Sequence, residues 1–123
     1  MLNTKIITTM EELFLNKLAE AYQTYDASII EDYLADDMHY ASFWVFQELT
    51  SKEDYLDYLK GKLQTMKNSG ITFEFQIVNG RHHSKALLVH KVNGQLDNQG
   101  GLVADFNEEG KVIMLNMTIP SFL

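Results

Sequence analysis

The side chains best equipped for chemistry in this chain are six tyrosines, four histidines and one tryptophan, and there is no cysteine. Helical spacing puts Tyr22 and Tyr58 on buried helix faces and alternation puts His90 inward, and a pocket reading joins Tyr40 and Ser42 to them, with Trp44 at its mouth. A few convergent hydroxyls and one imidazole in an aromatic cavity suit a planar, weakly polar ligand. These six residues are therefore the candidate ligand-binding set. His90 is also the candidate catalytic residue, because an imidazole flanked by Tyr40 or Tyr58 can give or take a proton near neutral pH. A plainer explanation stands beside this one. A core histidine bonded to a tyrosine, and helix tyrosines packed with satisfied hydroxyls, would leave the same pattern.

Other chemistries find little support. His82 and His83 are adjacent and point apart if extended, and His39 is distant, so no metal-ligand spacing exists. Asp36 and Asp37 read as solvated turn residues, and Glu11 and Glu12 as partners of a positive helix N-terminus. Gly100-Gly101 leads into a strand and not a helix, so it is no phosphate loop. No Ser–His–acid triad assembles from Ser42, His90 and the acidic residues. No metal and no cofactor is expected.

The 123 residues carry a net charge of -7, which argues against nucleic acid, since that partner needs a basic footprint. Hydrophobic residues make up 46%, enough for a real core, and the length suits one domain over 1–123. Apolar runs such as Phe43–Phe46 and Ala86–Val89 are too short to span a bilayer, and the N-terminus has no signal-type apolar region. The expectation is a cytoplasmic protein with no membrane partner.

The elements that must position these residues follow from the hydrophobic period. Met10, Leu13, Phe14, Leu18, Ala21, Tyr22 and Tyr25 mark one face of a first helix, with Thr9 and Glu12 as a capping box at its start. Asp26 caps a short second helix with Ile29, Ile30, Tyr33 and Leu34 on its apolar face, and a brief strand runs from Met38 to Phe43. Ser51 and Asp54 open a third helix, striped by Tyr55, Tyr58, Leu59, Leu63 and Met66 and closed at Asn68–Gly70. Beyond Gly70 the period drops to two. Strands follow at 72–77, 85–92, 102–106 and 111–119, with a loose loop from Asn93-Gly94 to Gly100-Gly101. Helices first and a meander after predict an α+β fold.

Parity then assigns faces. Taking Lys85 and Lys91 as solvent markers puts Ala86, Leu88, His90 and Val92 inward. Leu102, Ala104 and Phe106 go inward, as do Ile113, Leu115, Met117 and Ile119. That leaves Leu87, Val89, Val103, Val112 and Met114 as an outward apolar patch, best covered by a second copy of the chain.

The order of elements, the short helix ending in Tyr33-Leu34-Ala35-Asp36-Asp37, and the segment YLADDMHYASFWVFQELTSKEDYLDYLKGKLQTMKNSG resemble the nuclear transport factor 2-like superfamily, and within it small bacterial SnoaL-like proteins. The resemblance covers essentially the whole chain. It implies a cone-shaped half-barrel, with three N-terminal helices packed on a curved, mainly antiparallel sheet of the cystatin-like kind. The superfamily includes polyketide cyclases, ketosteroid isomerase, limonene epoxide hydrolase and scytalone dehydratase, so fold alone does not give function. Laid on the isomerase, the general-base position falls on Ser42 and the two oxyanion positions on Leu18 and Leu102, so its catalytic groups are missing. The Asp–Arg–Asp set of the epoxide hydrolase has no counterpart either, since Arg81 is the only arginine and lies in a turn. What carries over is pocket position: Tyr58 and His90 fall where those enzymes keep wall residues.

The function expected first is a homodimeric domain binding a small apolar or aromatic molecule. An alternative is a lyase, isomerase or cyclase for a hydrophobic polyketide-like substrate, with His90 moving the proton and Tyr40 or Tyr58 holding a developing enolate oxygen. A third is an association domain whose cavity is filled by its own side chains.

Overall fold

Helix α1 (Thr4–Thr24) begins well before the Thr9–Glu12 pair, so that pair lies inside the helix and does not cap it. Glu11, expected at a solvated N-terminus, is buried. The remaining elements in this computed structural model follow the expected order. A 3-10 helix, Ala27–Tyr33, is capped by Asp26, whose side chain accepts from the Ser28 amide. Strand β1 is Leu34–Ser42 and helix α2 is Lys52–Asn68, then come β2 Phe73–Val78, β3 Ala86–Val92, β4 Gln95–Leu96, β5 Gly101–Phe106 and β6 Val112–Thr118. The structure describes residues 4–42, 47–80, 85–97 and 100–119.

Both α-helices stop in the same way. At the end of α2 the Ile71 amide donates to the Met66 carbonyl (3.0 Å) and the Gly70 amide to Lys67 (3.1 Å), with Gly70 left-handed at φ 69°. At the end of α1 the Asp26 amide reaches Ala21 (2.9 Å) and the Tyr25 amide Tyr22 (3.4 Å), with Tyr25 at φ 56°. This paired closure normally takes glycine at the left-handed position. A tyrosine there costs about 1–2 kcal/mol. Its hydroxyl donates to the Ile71 carbonyl, tying the two helix ends together.

The strands form one open mixed sheet in the order β1-β6-β5-β3-β2, with β4 added to β3. Strand β1 runs parallel to β6, and every other pair is antiparallel. Three helices cover one face, giving the α+β, cone-like arrangement. The region expected to be a loose loop contains a hairpin instead. Asn93 and Gly94 both take positive φ (53° and 78°), the two-residue turn that suits twisted strands, and Val92 pairs Gln95 across it.

Two irregularities overturn part of the expected parity. In β3 the register passes from Phe75↔Val89 to Glu74↔Lys91, leaving His90 as an extra residue. In β6 it passes from Asp105↔Met114 to Phe106↔Val112, leaving Ile113 extra. An extra residue shifts the alternation, so positions on either side change faces. Leu87 (1% exposed) and Val112 (0%) therefore lie in the main core, while Ile113 is 39% exposed. Ala86 and Leu88 pack with Val78 and Val103 in a separate cluster. Lys85 misled as a solvent marker. Its amine reaches back to Glu12 of α1 at 3.5 Å.

The inward assignments of Leu102, Ala104, Phe106, Leu115 and Met117 hold. Of the expected outward patch, Leu87 and Val112 are core, Val89 is buried, and Val103 and Met114 remain on the other side. No described helix is long and apolar enough to cross a membrane.

Candidate functional site

Helix α2 is set by the Ser51 hydroxyl, which accepts from the Asp54 amide at 3.1 Å. A cap of this kind is worth about 1 kcal/mol. From there one face of α2 carries Tyr55, Tyr58, Leu59, Lys62, Leu63 and Met66 toward α1 and the sheet. Strand β1 brings Tyr40 to the same place. The Tyr40 backbone is bridged to Leu49 by two hydrogen bonds, N–H to carbonyl at 2.8 Å and its reverse at 2.9 Å. Tyr22 comes from the last full turn of α1.

The result is a continuous group of rings. Tyr40 lies 4.8 Å from Tyr55 and 5.5 Å from Tyr58, centroid to centroid. Tyr22 meets Phe73 edge-on at 5.6 Å and Phe75 at 5.7 Å. Lys62 joins the two halves: its amine sits 5.5 Å from the Tyr22 ring centre and 5.8 Å from that of Tyr58. Those distances are within cation–π range.

Electrostatics follow burial. The phenols of Tyr22, Tyr40 and Tyr55 are all pushed above their ordinary value, chiefly because burial disfavours phenolate and secondarily because neighbouring tyrosines would repel it. Burial lowers the Lys62 amine. The hydroxyls of Tyr40 (1% exposed) and Tyr55 (0%) meet no hydrogen-bond partner among the described residues. Ser42 and Tyr58 lie close enough to act on the Tyr40 hydroxyl, yet neither reaches bonding geometry. An unmatched buried hydroxyl costs about 1–3 kcal/mol.

Beside this group opens a pocket of about 240 Å³, lined by Lys62, Phe73, Val89, Val92, Asp97, Gly100 and Met117. Two larger clefts, of about 380 and 390 Å³, lie elsewhere, share Asp36 and Lys52, and are walled mainly by charged surface residues. They lack the aromatic backing that suits an apolar ligand, so the smaller pocket is the better candidate.

The structure thus brings together Tyr22, Tyr40 and Tyr58, with Ser42 two residues along β1 from Tyr40. It does not bring His90 to them. The pocket is lined from β3 by Val89 and Val92, and His90 is the half-buried residue that the β2–β3 register skips. Trp44, Arg81, His82 and His83 lie outside the described residues. His39 is a surface partner of Glu48, at 2.7 Å. Among the described residues no cluster of three or more metal-ligating side chains occurs. Sequence reading missed Lys62, although Tyr55, Tyr58 and Lys62 share the i, i+3, i+7 spacing of one helix face. The positions to which the isomerase's oxyanion groups map, Leu18 and Leu102, are fully buried core residues.

No protein-family model matches the sequence, and no curated protein does either. Solved structures do. A SnoaL-like protein of unknown function from Burkholderia thailandensis superposes with a TM-score of 0.69 at 19% identity, covering 89% of this chain and 93% of that one. A nuclear transport factor 2-like protein of unknown function from Cytophaga hutchinsonii gives 0.58 at 8% identity, over 85% and 84%.

This chain has the nuclear transport factor 2-like fold.

Within that fold an epoxide hydrolase from Mycobacterium tuberculosis, similar to the limonene enzyme, also superposes, with a TM-score of 0.57 at 16% identity over 89% and 82%. At such identities the likeness speaks for the fold and leaves the chemistry to the residues.

Proposed function

We propose that this nuclear transport factor 2-like domain binds a small apolar or aromatic molecule in the pocket beneath Lys62. The observation that carries the reading is an apolar wall (Phe73, Val89, Val92, Met117) with the polar groups Lys62 and Asp97 at the same pocket. Apolar surface supplies affinity, and a few polar atoms fix orientation. At about 240 Å³ the pocket is smaller than the ~300–1,000 Å³ typical of drug-sized ligands. It suits a molecule of one or two rings.

Native mass spectrometry of the purified protein, followed by denaturation and analysis of what is released, tests this. The expected result is one apolar compound per chain, absent from Met117→Trp, which fills the pocket. Retention of the same compound by Met117→Trp would place it elsewhere and sink the proposal.

For the outer sheet face we propose a second copy of the chain, seated over the partly exposed Met114. Met114→Lys should then shift the protein to monomers in sedimentation. A dimer that survives this change would discard the interface.

A further inference from the structure

Lys62 is the group in the pocket that nothing yet explains. An ordinary surface lysine keeps its ammonium in water, yet this amine is turned over the faces of Tyr22 and Tyr58. It forms no ion pair with a described residue, even though Asp97 lines the same pocket. Burial weakens its hold on the proton, as expected of a partly desolvated cation. Ring faces return only part of the lost hydration. Ring faces also offer no lone pair to the N–H donors of the ammonium.

Resting on the pocket reading above, we infer that Lys62 receives the carboxylate of a small aromatic or aliphatic acid, whose apolar body lies along Phe73, Val89, Val92 and Met117. A carboxylate fits better than a phosphate. The pocket lining offers one cation and no arginine fork, whereas a doubly charged phosphate calls for several donors. Asp97 acts against the ligand's charge. It tempers affinity and favours a molecule that bears a single acidic group directed at Lys62, away from Asp97.

The probes are 2-naphthoic acid and its methyl ester, titrated by calorimetry at pH 7 into the wild-type protein, Lys62→Met, Lys62→Arg and Asp97→Asn. The wild type should bind the acid about tenfold or more tighter than the ester, a difference of about 1.4 kcal/mol. Lys62→Met should remove that preference, bringing acid and ester to about equal affinity, and Lys62→Arg should keep it. Asp97→Asn should tighten the acid a few-fold and leave the ester unchanged, a readout that does not depend on altering Lys62. Equal affinity for acid and ester on the wild type would overturn the Lys62 assignment and leave the pocket standing. So would a Lys62→Met protein that still prefers the acid. Failure of the wild type to bind either probe would overturn the pocket reading and this inference together.

Discussion

Two turns of α1 separate two aromatic clusters that use the same geometry and different atoms. At Phe14 the ring meets Phe106 edge-on at 6.0 Å and Tyr33 at 6.1 Å. There α1 lies close against the β5–β6 turn: a Cβ at Gly110 would come within 2.7 Å of the Met10 methyl. At Tyr22 the neighbours are Phe73, Phe75 and, through Lys62, the tyrosines of α2 and β1. The Phe14 cluster is dominated by hydrocarbon, and its burial converts directly into stability. The Tyr22 cluster buries hydroxyls and a cation, so part of the same gain is offset by desolvation. One end of the helix layer holds the fold, and the other carries polar groups that packing alone does not call for.

Phe14→Ala should show the largest effect, a loss of about 3–5 kcal/mol in urea unfolding, because it leaves a cavity in a packed core. A loss under about 1 kcal/mol would mean that the Phe14 end is no firmer than the other, and the contrast would fail.

Alkaline pH should act on the tyrosine end. The raised phenols of Tyr22, Tyr40 and Tyr55 stay protonated when folded and ionise when unfolded. Their contribution is fully present below their ordinary value near 10. It is lost as pH rises above that value toward the folded one, by up to about 1.4 kcal/mol per pH unit for each group. Lys62, lowered in the fold, works in the opposite direction below about 10.5, and is one group against three. Unfolding midpoints measured from pH 8 to 11 should therefore fall steeply past 10, and less steeply in Tyr55→Phe. A flat profile would deny that these hydroxyls are buried in solution.

The smallest effect is the sharpest in sign. Tyr55→Phe removes an unmatched hydroxyl without changing the packing, so it should be neutral or stabilising by about 1 kcal/mol in thermal melts. A loss of similar size would show that the hydroxyl has a partner, either in the protein or in a bound molecule.

Most of the element order was legible in the sequence, because helix and strand periods are local. The stripe from Tyr55 to Met66 and the Ser51 cap are written within a few residues, and both appear as read. Tyr22, Tyr40 and Tyr58 were read from the same signal, and the fold brings their rings together around Lys62, although none of them lines the pocket. Lys62 was legible too, as a lysine at helical spacing from Tyr55 and Tyr58, but charge alone suggested solvent. His90 failed for a different reason. Its placement rested on unbroken alternation through β3, and the register skips that very residue.

Period, capping and turn residues belong to the chain itself, since each depends on neighbours a few positions away. They settled the α+β order of helices and strands. Whether a strand carries an extra residue depends on the partner strand, and whether a lysine meets water or two tyrosine rings depends on elements far along the chain. Local sequence holds neither fact. Tertiary packing alone decided that Leu87 and Val112 enter the core, that His90 stays out of the pocket lining, and that Lys62 reaches into it.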